Sequence, residues 1–101
     1  MITCFIRYRV DRKKISQFEE YAKQWIALVK KFGGQHHGYF LPAEGKSDEA
    51  ICLFSFESLS HYEIYRIQSA TDPEAQAVVK LGEDNGILLE WDRTFYRPVF
   101  S

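Results

Sequence analysis

Two adjacent histidines and a tyrosine, His36, His37 and Tyr39, are the residues of this chain best suited to contact a ligand. They lie in a short run between Gly34 and Pro42, and glycine and proline commonly mark the ends of a strand. Because successive side chains of a strand point to opposite faces, alternation places His37 with Tyr39 and sends His36 to the other face. If the phase of the strand is reversed, His36 is the ligand-facing histidine. We therefore expect one imidazole to share a face with a phenol.

A neutral imidazole in a pocket acts either as a general base towards a phenolic or enolisable substrate or as a hydrogen-bond donor. The alternative is a histidine capped by a backbone carbonyl, with no chemical role. Adjacent histidines on one strand diverge, so they cannot share a metal ion. His61 is the only other histidine, and the zinc-binding spacings C-x-x-C and H-E-x-x-H are absent. We expect neither a metal nor a cofactor.

Further candidate residues lie later in the chain. Tyr62 and Arg66 are four residues apart on a predicted helix and therefore share one face, with Tyr65 beside it. These side chains either orient a polar organic ligand or form a helix with one core tyrosine and a solvated arginine. Trp91, early in the last predicted strand, lines the pocket or a contact between subunits. The candidate pocket is His36, His37, Tyr39, Tyr65, Arg66 and Trp91.

Hydrophobic patterning predicts the elements that position these residues. Apolar residues at three- and four-residue steps predict a helix that starts near Asp11 and ends near Phe32. A second helix begins at Ser58 or Ser60, and Thr71 with Glu74 has the spacing of a capping box for a third. Runs in which apolar residues alternate with polar ones, or occupy both faces, predict strands over 2–10, 36–41, 49–56 and 87–96.

This order predicts an α+β fold, a ferredoxin-like βαββαβ domain that spans residues 1–101 as one domain. Its four-stranded antiparallel sheet should have the spatial order fourth, first, third, second. The helices can cover only one face, and rings such as Phe5 or Phe95 on the other face need protection from water. A second copy of the chain is the simplest cover, which predicts a homodimer. Cys4 and Cys52 are expected to be buried, reduced thiols.

Composition and charge argue against two classes of partner. The formal net charge of −1 gives no general attraction for nucleic acid or anionic lipid. An RNA-recognition motif shares the βαββαβ topology, but its basic, glycine-containing signature is missing. No apolar run is long enough to cross a bilayer, and no basic leader precedes the first strand. We expect a soluble, cytoplasmic protein that binds neither nucleic acid nor a membrane.

Three segments resemble a known family: Gly34 to Gly45 (GQHHGYFLPAEG), Leu53 to Ala75 (LFSFESLSHYEIYRIQSATDPEA) and Arg93 to Val99 (RTFYRPV). They look like a bacterial member of the NIPSNAP family, in the dimeric α+β barrel superfamily. The resemblance implies a homodimer whose two sheets close into a shared barrel, with a cavity between sheet and helices in each subunit. The NIPSNAP family has no settled reaction, whereas relatives in the superfamily include cofactor-free monooxygenases, haem-degrading enzymes and lactone isomerases.

Two classes of function follow. The first is a homodimer that binds a small organic molecule without chemistry. The alternative is a cofactor-independent monooxygenase or isomerase that uses a His/Tyr pocket, in which the imidazole and phenol polarise the substrate and Arg66 assists. An open cavity reached by an unpaired imidazole would favour a small-molecule site, whereas a cavity filled by packed rings would favour a binding or regulatory dimer without chemistry.

Overall fold

A computed structural model describes residues 1–100 of the chain. Over these residues the order of strands and helices is the predicted one, and a short 3₁₀ turn, Arg12–Lys14, joins the first strand to the first helix. In chain order the elements are β1 (Ile2–Val10), α1 (Ile15–Lys31), β2 (Gln35–Phe40), β3 (Glu49–Phe56), α2 (Leu59–Ser69), α3 (Pro73–Asp84) and β4 (Leu88–Tyr96).

The sheet is antiparallel, with strand order β2-β3-β1-β4, as the βαββαβ pattern predicts. The strand β1 therefore lies inside the sheet, and β2 and β4 form its edges. At the centre, Ile6 of β1 lies opposite Cys52 of β3 and Arg93 of β4. Because directly opposite residues share a face, this register decides which side chains of the three strands can meet.

Side-chain caps explain where the helices begin. The Ser58 hydroxyl accepts a hydrogen bond from the backbone N–H of His61 at 3.2 Å and caps α2, as predicted. The prediction for α3 is wrong by one residue. The N-cap is Asp72, the residue directly before Pro73, rather than Thr71. The Asp72 carboxylate accepts a hydrogen bond from the Ala75 N–H at 2.9 Å. Within residues 1–100, no helix combines the length and the apolar character that a membrane crossing requires.

One face of the sheet packs against the helices and forms the core. On this face of β1, Cys4, Ile6, Tyr8 and Val10 are buried and Ile2 is half-buried, and rings from β3 and α1 surround them. Both cysteines are buried free thiols, as predicted, and burial raises the pKa of Cys4 to about 12 and that of Cys52 to about 11. The core residues of these strands include Cys4, Ile6, Tyr8, Val10, Cys52, Phe54 and Phe56.

The opposite face, which we call the open face, is not covered by any helix. The sequence predicts that rings such as Phe5 or Phe95 lie on this face, which is right for Phe5 and wrong for Phe95. Phe95 lies opposite the buried Cys4, and its ring packs edge-on against Tyr62 of α2 with centroids 4.8 Å apart. Tyr96, the next residue of β4, is on the open face instead and contacts the Phe5 ring at 6.2 Å. The strand alternation is as expected, but the phase of β4 is set by its pairing with β1.

Candidate functional site

A cavity of about 450 Å³ lies between the helix-covered face of the sheet and the helices. This volume is in the range of small-molecule sites, which is about 300–1,000 Å³. Aromatic side chains form most of its wall, and a few polar groups interrupt them. The rings include Tyr8, Tyr21, Tyr39, Phe54, Tyr62 and Tyr65.

A β-bulge in β2 decides which histidine reaches this cavity. His36 lies opposite Phe54, but the next paired residue is Gly38, opposite Leu53, so His37 has no counterpart on β3. Gly38 has a φ of +114°, which a residue with a side chain rarely adopts. The inserted residue reverses the face to which every later side chain of β2 points. His36 and Tyr39, three residues apart, therefore lie on the same face.

The alternation-based assignment of His37 to the face of Tyr39 is consequently wrong. His37 points to the open face, where its Nε2 lies 2.7 Å from the Ser55 hydroxyl, which is in turn 2.7 Å from the Thr3 hydroxyl. Alternation fails here because it assumes one residue per strand position, and the bulge supplies two. The glycine inside the strand pattern was the available signal, since an isolated glycine in a strand often marks a bulge.

His36 is held between rings and has a defined tautomer. Its imidazole stacks on Tyr39, with centroids 4.9 Å apart and 16° between the planes, and is tilted against Phe54 at 5.7 Å. The backbone N–H of Gly38 donates to His36 Nδ1 at 2.9 Å. The neutral ring must therefore carry its proton on Nε2. That atom is buried and has no hydrogen-bond partner among residues 1–100.

The same surroundings keep His36 neutral. Burial, helped by the adjacent His37, lowers the pKa of His36 to about 4. Burial also raises the pKa values of Tyr8, Tyr39 and Tyr65, so these phenols stay protonated near neutral pH. With Nδ1 occupied and Nε2 protonated, His36 offers a hydrogen-bond donor. The geometry does not supply the general base that was the other expectation for this histidine.

Two arginines stand at the edge of the cavity. Arg66 of α2 donates from Nη1 to the Tyr62 hydroxyl at 3.0 Å, and both Tyr62 and Tyr65 are buried. Arg93 of β4 also lines the cavity. In the described part of the chain, neither arginine forms an ion pair with a carboxylate. The cavity therefore has two cations beside an otherwise largely aromatic wall.

The cavity brings together most of the predicted pocket residues. His36, Tyr39, Tyr65, Arg66 and Trp91 line it, and His37 does not. Trp91 lies at the rim and is 55% exposed.

The predicted pocket lacked several residues of the wall, among them Trp25 of α1 and Arg93 of β4. Alternation within β4 was the available signal for Arg93, because Trp91, Arg93 and Phe95 share one face. No group of His, Cys, Asp or Glu side chains within residues 1–100 is arranged to hold a metal ion.

Comparison with known proteins identifies the family. The model of the NIPSNAP family matches residues 3–101. The chain belongs to the NIPSNAP family. It is similar to the crystal structure of a NIPSNAP family protein of unknown function from Agrobacterium tumefaciens, with 20% identity, a TM-score of 0.83, and 97% of this chain and 87% of that chain covered.

An uncharacterised NIPSNAP domain protein from Burkholderia xenovorans is similar at 18% identity and a TM-score of 0.81, over 98% of this chain and 95% of that one. A protein from Nitrosomonas europaea whose name suggests an antibiotic biosynthesis monooxygenase is 10% identical, with a TM-score of 0.75 and 99% and 100% of the two chains covered. At these identities the similarity shows the fold alone. A comparison with curated proteins gave no match.

Proposed function

We propose that this NIPSNAP family protein is a cytoplasmic homodimer that binds a small organic molecule in the cavity of each subunit. The observation that carries the proposal is the enclosed Nε2–H of His36, which has no partner in a ring-lined cavity of about 450 Å³. An unsatisfied buried donor costs about 1–3 kcal/mol, so a ligand oxygen that accepts from it would remove this penalty. Two buried free thiols fit a reducing compartment.

The open face supports the homodimer. Phe5, Ile51 and Leu53 are only half-buried there, and Phe40 and Tyr96 are exposed. Its charges come in pairs of opposite sign, with Arg7 next to Glu49 at 3.1 Å and Arg9 next to Glu90 at 3.4 Å. The open face thus has an apolar centre and balanced charges, and such a surface is complementary to a second copy of itself. We therefore propose that a second copy of the chain covers it.

Strand β4 points to the same conclusion. All its residues after Leu88 are exposed, although it is fully hydrogen-bonded to β1 along one edge. An exposed edge strand with large apolar residues on both faces is a liability for a monomer. Sedimentation equilibrium at micromolar concentration should give a mass about twice the 11.9 kDa of one chain. A mass of 11.9 kDa at all accessible concentrations would refute the dimer.

Ligand binding can be followed with the protein's own fluorescence. The chain has two tryptophans, Trp25 and Trp91, and both line the cavity. Titration with 2-naphthol, a probe small enough for this volume, should quench or shift their emission saturably. The change Val79→Phe, at a half-buried cavity residue of α3, should abolish this response.

The matched control is Ala77→Phe, on an exposed position of the same helix that does not line the cavity. It should bind 2-naphthol like the wild type. A response that is equal in both variants would place the probe outside the cavity and count against the proposed site. The circular dichroism of both variants should match that of the wild type.

A cofactor-independent monooxygenase or isomerase is the second candidate, favoured by the fold shared with the monooxygenase-named protein from Nitrosomonas europaea. In this chain the neutral His36 would then donate to an oxygen that becomes negative during the reaction, rather than remove a proton. Oxygen uptake in the presence of dihydroxynaphthalenes, abolished by His36→Phe, would favour this candidate. Binding without uptake would favour a binding protein.

A further inference from the structure

Three groups of the cavity wall can only donate hydrogen bonds. Arg66 and Arg93 have no acceptor atom, and the tautomer of His36 leaves Nε2–H as its free group. A molecule that pairs with these three groups must bring hydrogen-bond acceptors, such as carboxylate, carbonyl or phenolic oxygens.

The two arginines lie at the same end of the cavity. Arg66 bonds the Tyr62 hydroxyl, and the Tyr62 ring packs against Phe95 at 4.8 Å. Arg93 is two residues from Phe95 on the same face of β4. Both arginines oppose the burial that raises the pKa of Cys4, which agrees with their shared position. This end of the cavity carries two positive charges.

The cavity's acidic residue lies elsewhere. Glu83 follows Gly82, and a Cβ atom at Gly82 would be 2.8 Å from the Tyr21 ring, so this part of α3 lies against Tyr21 of α1. Glu83 also adds to the effect of burial in raising the pKa of Tyr21. In the described residues no ion pair joins Glu83 to Arg66 or Arg93. The positive end is therefore not neutralised from within the cavity.

Resting on the proposed binding function, we infer that the ligand is a planar, ring-containing acid. Its carboxylate lies at the Arg66 and Arg93 end, and a second oxygen accepts the Nε2–H of His36. The aromatic wall suits a flat body, because rings pack favourably against one another by stacking or edge-on contact. The Nε2 atom itself is buried. The acceptor oxygen consequently reaches it as neighbouring rings move apart.

Three naphthalene probes separate these contributions: 6-hydroxy-2-naphthoate carries both groups, 2-naphthoate lacks the hydroxyl, and 2-naphthol lacks the carboxylate. Titration at low ionic strength should show that the carboxylate strengthens binding at least tenfold, as charge-assisted hydrogen bonds do. The hydroxyl should add about threefold to tenfold, the usual gain from a neutral hydrogen bond. Added salt should weaken the carboxylate effect, because the arginines are at the exposed rim.

Variants assign each gain to its residue. The change His36→Phe should remove the advantage of 6-hydroxy-2-naphthoate over 2-naphthoate, while the double change Arg66→Gln and Arg93→Gln should remove the advantage of either acid over 2-naphthol. The charge-matched control is Lys23→Gln with Lys30→Gln, two exposed cations of α1 that do not line the cavity. It should leave all three affinities unchanged.

The outcomes distinguish this inference from the proposed function. Equal binding of all three probes to the wild type, still abolished by Val79→Phe, would overturn the acidic ligand and retain a cavity that binds apolar rings. Acid binding that survives the arginine changes would likewise overturn it. Failure of every probe to alter the tryptophan emission would overturn the proposed binding function itself.

Discussion

The two faces of the sheet use similar residues for different purposes, and the adjacent histidines of β2 show the difference best. His36 lies on the helix-covered face between Tyr39 and Phe54, with Nε2–H enclosed and unpaired. His37 lies on the open face, where the Ser55 hydroxyl is 2.7 Å from its Nε2. One face thus has a buried donor without a partner, whereas the histidine on the other face is hydrogen-bonded to a neighbouring hydroxyl.

The polar groups of the two faces differ in their partners. On the open face, the Thr3 and Ser55 hydroxyls and Nε2 of His37 are joined by hydrogen bonds. In the cavity, by contrast, the Nε2–H of His36 is unsatisfied, which costs stability. A buried polar group without a partner calls for an explanation, and the proposed ligand supplies one.

The largest effect is expected from a charge on the open face. Tyr96→Glu, at a residue that is 54% exposed, should weaken the dimer at least a hundredfold, about 2.7 kcal/mol, because the contact would bury an unpaired carboxylate. Sedimentation equilibrium measures the change. Ile67→Glu on α2, at a residue 64% exposed, is the control and should remain dimeric. Equal behaviour of the two variants would mean that the open face is not the contact.

The loss of folding stability in acid tests the helix-covered face, where His36 lies. The pKa of His36 falls from 6.5 in the unfolded chain to about 4 in the folded one. Between these values the unfolded chain binds the proton more readily, so the folded state loses up to about 1.4 kcal/mol per pH unit as pH falls. Above pH 6.5 this histidine contributes no pH dependence. Urea unfolding of His36→Phe should show a shallower loss of stability over this range.

The comparison for that measurement is the wild type, unfolded in urea at the same pH values. If His36→Phe and the wild type lose stability at the same rate, His36 is accessible to protons and the enclosed donor is refuted.

The bulge that separates the two faces is expected to have the next largest effect. Gly38→Ala should destabilise the fold by about 1–3 kcal/mol, because its φ of +114° is strained for any residue with a Cβ atom. It should also weaken binding of 2-naphthol, since the strand would shift to relieve the strain and displace His36. Urea unfolding and the tryptophan titration measure the two effects.

Gly45→Ala is a matched control for this strain. Its φ is +95°, and at both glycines a Cβ atom would meet nothing within 4 Å. The two variants should lose similar stability, but only Gly38→Ala should lose binding. Retained binding in both would mean that the bulge does not position the cavity histidine.

The smallest effect concerns the polar chain of the open face. Ser55→Ala should cost about 1–2 kcal/mol, because Ser55 is 2% exposed and its loss leaves the Thr3 hydroxyl without this partner. Adding Thr3→Val should recover part of the loss, since both polar partners are then gone. Binding of 2-naphthol should be unchanged in both variants. A loss of binding would show that the two faces are coupled.

Much of the fold was predictable because its signals are local. The apolar steps of α1 and the alternation of β1 need no knowledge of the rest of the chain. The NIPSNAP resemblance, carried by three segments, was confirmed over residues 3–101. The pocket residues of α2 were also accessible, because Tyr62 and Arg66 are separated by one helical turn.

The face of the sheet to which each strand side chain points was harder to predict from the sequence. Phe95 was assigned to the wrong face, and His37 was placed in the pocket, because each depends on a register set by another strand. Arg93 was missed although alternation within β4 puts it on the face of Trp91, a predicted pocket residue.

The chain alone determined the kinds of group available and the order of the elements: three histidines, two of them adjacent, a set of tyrosines, and the βαββαβ order that follows from the hydrophobic pattern. Which imidazole turns inward, which tautomer it holds and which arginines stand beside it were decided only by tertiary structure. The physical reason is that one extra residue in a strand reverses every later side chain, and only the pairing with β3 shows where that residue lies.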